Sequence, residues 1–103
     1  MDHYKLFINN SFVDAVSGEV MESIDPGTGL AFATVAKAGP ADAERAVMAA
    51  REAFDNGNWS GLSPSERSKI VNRFADEIAK QALRLAVIEA ADSGQAIRLS
   101  SLW

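Results

Sequence analysis

The sequence predicts an α+β fold in which two short β-hairpins are followed by an antiparallel helical hairpin with one long helix. Three observations predict it. Residues 4–36 combine strand-like alternation with turn residues. Apolar residues then recur at helical spacing over residues 40–56 and again over residues 63–93. We therefore expect one partial domain over residues 1–103, with residues 95–103 forming the start of a further helix or a tail.

The first hairpin is predicted over residues 4–13, with Asn9, Asn10 and Ser11 as turn residues that tolerate a positive φ. The second is predicted over residues 20–36. Its turn, residues 25–29, holds a proline that sets φ and two glycines that allow positive φ. Two successive hairpins of this kind place polar turn residues between short apolar strands.

The first helix is predicted to begin at Pro40 and to end before Gly57. It is rich in alanine, which permits the close approach of a neighbouring element. The connection to the second helix is short, residues 58–62, so we expect the two helices to form an antiparallel hairpin.

The second helix has clear signals at both ends. Ser63, Pro64 and Glu66 form the pattern of a capping box with proline at the first helical position. Gly94 suits a left-handed C-terminal stop. A helix of about thirty residues is about 45 Å long, whereas a compact domain of this chain's size is roughly 35 Å across. We therefore expect the chain to be an incomplete piece of a larger body.

Composition excludes several functions. The formal net charge of −4 disfavours nucleic acid as a partner, including a helix-turn-helix use of the two helices. No apolar run approaches the roughly 20 residues of a membrane span, and no signal-peptide pattern is present, so we expect a cytoplasmic protein. The sequence has no cysteine and one histidine, His3, near a terminus. A thiolate site, a cysteine nucleophile and an oriented catalytic imidazole are therefore not expected.

Two local features invite a functional interpretation. Gly27 and Gly29 superficially match a dinucleotide fingerprint, but Phe32 occupies the third glycine position and a strand follows, so a hairpin turn is favoured. Asp92 lies in the last turn of the long helix, where the helix dipole disfavours a negative charge. It is either exposed and tolerated or held by a cation or a donor.

Several short strings resemble the opening of the NAD(P)-dependent aldehyde dehydrogenase superfamily in their order and spacing. They are LFINNSFV at 6–13, IDPGTG at 24–29, AVMAAREAF at 46–54, LSPSER at 62–67 and IEAADSG at 88–94. The resemblance implies a partial piece of an α/β enzyme that oxidises aldehydes to carboxylic acids with NAD or NADP. It implies that the nucleophile, the glutamate base and the nucleotide motif all lie beyond Trp103, so we assign no catalytic or cofactor-binding residue.

The resemblance also implies a possible structural sodium or potassium ion, which some members hold in this region. Its ligands match Ser23, Ile24 and Asp92. A hard cation takes carbonyl and carboxylate oxygens, and it would offset the conflict between Asp92 and the helix dipole. The remaining ligand in the family has no counterpart in this sequence.

Two functions stay open. The first is the N-terminal structural and oligomerisation portion of an aldehyde dehydrogenase, inert by itself, with the remainder of such a polypeptide as its partner and a homo-oligomer as its assembly. The alternative is an independent interaction module without enzymatic activity that associates with a second copy of itself.

Overall fold

The computed structural model describes residues 1–100 of the chain, and these residues confirm the α+β class. The strands are β1 (Asp2–Tyr4), β2 (Leu6–Ile8), β3 (Ser11–Val13), β4 (Val20–Ile24) and β5 (Ala31–Ala36). The helices are α1 (Pro40–Asn56), α2 (Pro64–Lys80), α3 (Ala82–Ser93) and α4 (Ile97–Ser100). A short helix, α4, lies within residues 95–103, where we expect the start of a further helix or a tail, and residues 101–103 lie outside the described residues.

The chain divides into two compact units. The first combines Met1–Ser23 with Phe32–Gly61, and the second combines Ile24–Ala31 with the chain from Leu62 onward. No helix within residues 1–100 has the length and apolar character needed to cross a bilayer.

In the first unit, β1 and β2 are separate strands, whereas the alternation predicted one strand over residues 4–8. β1 pairs in parallel with β5, matching His3 with Thr34, in a three-stranded sheet of order β1-β5-β4. His3 Nδ1 lies 2.8 Å from Thr34 Oγ1. The break at Lys5 follows from this pairing, which joins distant parts of the chain and therefore has no local sequence signal.

The strands β2 and β3 form the predicted antiparallel hairpin, but Ser11 pairs with Ile8 as the first residue of β3 and lies outside the turn. Asn9 and Asn10 have φ values of 52° and 63°, as a two-residue turn between right-twisted strands requires. The register pairs Phe7 with Phe12, and their ring centroids lie 5.0 Å apart. Aromatic pairs at this spacing stabilise a hairpin beyond the area they bury.

In the second unit, α2 begins with the predicted capping box. Ser63 N donates to Glu66 Oε2 at 2.9 Å, and Glu66 N donates to Ser63 Oγ at 3.2 Å. Two of the backbone donors that a helix start leaves unpaired are satisfied in this way.

The helix predicted over residues 63–93 is interrupted once, at Gln81, which separates α2 from α3. Gln81 has φ −101° and ψ 10°, and its N–H is shared between the carbonyls of Ile78 at 3.0 Å and Glu77 at 3.3 Å. Sharing of this kind tightens a helix locally to 3₁₀ geometry. The α-helical pattern resumes at once, because Leu85 N donates to Gln81 O at 2.9 Å. The spacing of apolar residues continues across so short an interruption, so the sequence pattern did not predict it.

Candidate functional site

The apolar interior of the described chain is built from small side chains. Its buried apolar residues are Ala15, Ala33, Ala36 and Ala86, and no large side chain among residues 1–98 is fully buried. By contrast, Phe12 is 73% exposed, Phe74 is 68% exposed and Leu83 is 75% exposed. Each unit therefore leaves large apolar side chains at its surface.

The first unit presents one such surface on its hairpin. Phe7 and Phe12 both point to the exposed face, while Leu6, Ile8 and Val13 on the other face are half-buried. α1 contacts β2. A groove of about 670 Å³ lies in this unit and is lined by Ile8, Asn9, Ser11, Val13, Arg45, Met48, Ala49 and Glu52. One face of the hairpin is thus partly covered and the other lies open.

The second unit presents a groove along α2 and α3. It has a volume of about 670 Å³ and is lined by Ala75, Ile78, Ala79, Ala82, Leu85, Ala86, Ile88 and Glu89. Every lining side chain except Glu89 is apolar. The groove includes residues from both sides of Gln81, so α2 and α3 form a common apolar face. Such a face suits packing against another apolar element.

A buried carboxylate, Asp42, organises the first unit, and the sequence patterns did not single it out. Asp42 is 2% exposed, and Arg45 Nη2 donates to its Oδ1 at 2.7 Å. Val16 N donates to the same oxygen at 2.9 Å, and Gly39 N donates to Oδ2 at 2.9 Å. Asp42 thereby joins the loop after β3 to the start of α1.

These donors lower the pKa of Asp42 below its ordinary value, and the bond from Gly39 N is the largest cause. Burial of the carboxylate opposes them, and Arg45 adds to them both as a donor and as a nearby charge. The position of Asp42 three residues after the N-cap Gly39 was a local signal for half of this arrangement. The hydrogen bond from Val16 N had no local signal in the sequence. The role of Asp42 is structural, because both of its oxygens are engaged by the protein itself.

The residues predicted to bind a cation lie at the end of β4 and the end of α3. Ser23 is half-buried, whereas Ile24 and Asp92 are exposed. Ser23 and Asp92 each take part in a further interaction. Within the second unit, the turn after Ile24 contacts the end of α3, since a Cβ at Gly94 would lie 2.8 Å from Pro26 Cγ. The segments of Ile24 and Asp92 therefore meet, and the cation site stays a prediction.

The described residues contain no cluster of three or more histidine, cysteine, aspartate or glutamate side chains arranged to hold a metal. The glycine-containing turn likewise does not fit a pyrophosphate. Asp25 N donates to Leu30 O at 2.9 Å, and Gly29, with φ 72°, donates to Asp25 O at 2.8 Å. This turn leads into β5, whereas a dinucleotide loop leads into a helix. The hairpin interpretation of residues 25–29 is confirmed.

The geometry matches the opening part of solved aldehyde dehydrogenase structures. An NAD-dependent aldehyde dehydrogenase from Sinorhizobium meliloti superimposes with a TM-score of 0.93 and 35% identity, covering 96% of this chain and 20% of that one. A betaine aldehyde dehydrogenase from Staphylococcus aureus, solved in complex with NAD+, superimposes with a TM-score of 0.91 and 32% sequence identity. The match covers 95% of this chain and 20% of that chain. The class of fold is therefore that of an aldehyde dehydrogenase.

The sequence leads to the same family. Residues 12–102 match the family model described as the aldehyde dehydrogenase family, and the chain belongs to that family. It is 48% identical over 96 residues to aldehyde dehydrogenase 1 of Tanacetum cinerariifolium, covering 93% of this chain and 19% of that protein. It is 40% identical over 97 residues to the cytosolic 10-formyltetrahydrofolate dehydrogenase of Xenopus tropicalis, covering 94% of this chain and 11% of that protein. The chain thus spans a fifth or less of the length of these curated relatives.

Proposed function

We propose that this chain is the N-terminal structural portion of an aldehyde dehydrogenase that oxidises an aldehyde to a carboxylate with NAD or NADP. The observation that carries the proposal is the contrast between a buried core of alanines and the exposure of Phe12 and Phe74. Each Å² of apolar surface left in water forgoes about 25 cal/mol of stabilisation. The remainder of the polypeptide would cover these faces and gain that stabilisation.

By this proposal the chain is inert alone. The reaction in this family uses a cysteine nucleophile, and the sequence contains no cysteine. NAD or NADP, when bound by the whole enzyme, accepts the hydride. The residues of this chain act by packing: the hairpin β2–β3 and the groove along α2 and α3 would seat on the rest of the subunit or on a neighbouring subunit. A cytoplasmic homo-oligomer is the assembly we propose.

A second candidate is an interaction module that associates with a second copy of itself. The exposed pair of Phe7 and Phe12 favours it, because the pair lies on the open face of a two-stranded sheet. Sheet edges and open apolar faces readily accept another chain. The two candidates predict different behaviour of the purified chain.

The deciding experiment compares dye binding, cooperativity of unfolding and mass in solution for the chain of 103 residues. A structural portion should bind a hydrophobic dye, unfold broadly and show no saturable binding of NAD. A self-associating module should give one discrete oligomer with a sharp melt and little dye binding. Saturable binding of NAD, or turnover of an aldehyde by this chain alone, would refute the structural role.

A mixing experiment tests the docking itself. An aldehyde dehydrogenase lacking the corresponding opening segment is mixed with this chain, and recovery of soluble, folded complex is measured. Wild-type chain should rescue the truncated enzyme, whereas Phe74→Asp should rescue it poorly because a charge replaces an apolar contact. A matched control is Lys69→Asp, an exposed polar position on the same helix.

We also propose that Ser23, Ile24 and Asp92 contribute oxygen ligands to a sodium or potassium ion in the whole enzyme. The contact between the turn after Ile24 and the end of α3 supports the proposal for Ile24 and Asp92. The test replaces sodium and potassium by a bulky organic cation and measures the melting temperature. The wild-type enzyme should lose stability, and Asp92→Asn should lose this dependence. An equal response of both proteins would contradict the site.

A further inference from the structure

We propose that Asn56 is a site of spontaneous deamidation, in which the backbone nitrogen of Gly57 attacks the side-chain amide of Asn56. The sequence contains one Asn-Gly pair, and it stands at the C-terminal end of α1. This inference concerns a chemical modification of the chain and does not depend on its enzymatic family.

Three structural features make this position reactive. Asn56 is exposed and is the last residue of α1, so few contacts oppose its movement. The last turn of the helix has no basic residue to offset the negative end of the helix dipole. Glycine is required at position 57, because a Cβ there would collide with the carbonyl oxygen of Ala53. The packing that demands glycine therefore also removes the side chain that would hinder the attack.

The reaction balances with water as the only co-reactant. The amide nitrogen of Gly57 loses its proton and forms a bond to Cγ of Asn56. The side-chain nitrogen leaves as ammonia, and a five-membered succinimide remains. Water then adds to either carbonyl of the ring, which opens to aspartate or to isoaspartate. In both products an NH₂ has been exchanged for a hydroxyl that ionises and adds one negative charge, and in isoaspartate the main chain continues to Gly57 through the former side-chain carbonyl.

The helix controls the rate. Gly57 N donates to Ala53 O at 3.0 Å. While this bond is formed and Asn56 is helical, the nitrogen of Gly57 is held away from the side chain of Asn56. The last turn must open before the ring can close, so the rate reports local unfolding of the end of α1. One interaction that opposes opening is the pair of Arg51 and Asp55, which are joined by bonds of 3.0 and 2.9 Å.

The test incubates the chain of 103 residues at neutral and mildly alkaline pH and follows each asparagine by peptide mapping with tandem mass spectrometry. Asn56 should convert on the order of tenfold or more faster than Asn72, which lies inside α2 and needs a larger opening. The rate should rise with pH, and isoaspartate should be among the products. Equal rates at Asn56 and Asn72, or aspartate alone, would overturn the proposal.

Variants separate the chemistry from the helix. Asn56→Gln should abolish the modification in this peptide, whereas Asn58→Gln should leave it unchanged. Arg51→Ala should raise the rate by about twofold, the value of one exposed i, i+4 pair. Arg51→Lys, which keeps the charge, should raise it less. If Arg51→Ala leaves the deamidation rate unchanged, the claim that opening of the last turn of α1 controls this rate would be wrong.

Discussion

Gly94 lies so close to Pro26 that a Cβ at position 94 would be 2.8 Å from Cγ of the proline. Gly94 also ends α3 with a φ of 76°, in the left-handed region, and its N–H donates to Ala90 O at 3.0 Å. Glycine is thus required twice at this position, once by the backbone and once by the neighbour. The contact joins the turn after β4 to the end of α3 within the second unit.

Replacing Gly94 by alanine should destabilise the second unit through both effects. The left-handed backbone costs a residue with a Cβ about 1–2 kcal/mol, and overpacking adds about 1–3 kcal/mol. Denaturant unfolding followed by circular dichroism measures the sum. Gly29→Ala is the matched control, because Gly29 has φ 72° and open space where a Cβ would lie. Equal losses in both variants would mean that Pro26 contributes nothing.

Asp42→Asn should destabilise the first unit at neutral pH, since a neutral amide is a weaker acceptor for Gly39, Val16 and Arg45. The pKa of Asp42 is lowered in the folded chain. Its contribution is therefore fully present above its ordinary value of 3.8 and is lost as the pH falls through the lower folded-state pKa. Unfolding curves of both proteins across acidic pH provide the measurement.

The stability of the Asp42→Asn variant should approach that of the wild type at the most acidic pH, because the wild-type carboxyl is then protonated. Glu44→Gln removes the same charge from an exposed position two residues away and serves as the control. A constant difference between wild type and Asp42→Asn at every pH would contradict the role of the ionised carboxylate.

Ser63→Ala should reduce the stability of α2 by about 1 kcal/mol, within the range of about 0.5–2 kcal/mol for loss of an N-cap. The serine hydroxyl accepts the Glu66 N–H, and removal leaves that donor without its side-chain partner. Thermal unfolding by circular dichroism measures the loss. Ser65→Ala changes the same chemical group inside the first turn and should cost far less. Similar losses for the two serines would argue against the cap.

Ile78→Ser should weaken docking on the groove along α2 and α3 more than Leu83→Ser does. Ile78 lines the groove, while Leu83 is exposed outside its lining. Loss of a buried side chain of this size removes about 1.5–3 kcal/mol from an apolar contact. Affinity for the truncated aldehyde dehydrogenase, with dye binding as a second readout, measures the difference. A larger effect of Leu83→Ser would place the docking face elsewhere on the helix.

Local chemistry made several features predictable from the sequence. Asn9 and Asn10 occupy the positive-φ turn of the first hairpin because their short polar side chains tolerate that backbone. The capping box of Ser63 and Glu66 and the stop at Gly94 are likewise decided within a few residues. The proposed cation ligands Ser23, Ile24 and Asp92 came from resemblance to the family, and they remain a prediction.

The sequence by itself determined the α+β class, the start of α2, the end of α3 and the apolar faces, because these depend on residues close together in the chain. Only the tertiary structure decided the parallel pairing of β1 with β5 and the hydrogen bond from Val16 N to the buried carboxylate of Asp42. It also decided the break in the helix at Gln81 and the close contact between Pro26 and Gly94. Two of these, the strand pairing and the Asp42–Val16 bond, join residues 26 to 31 positions apart. Such contacts are selected by packing, which no local pattern of residue types encodes.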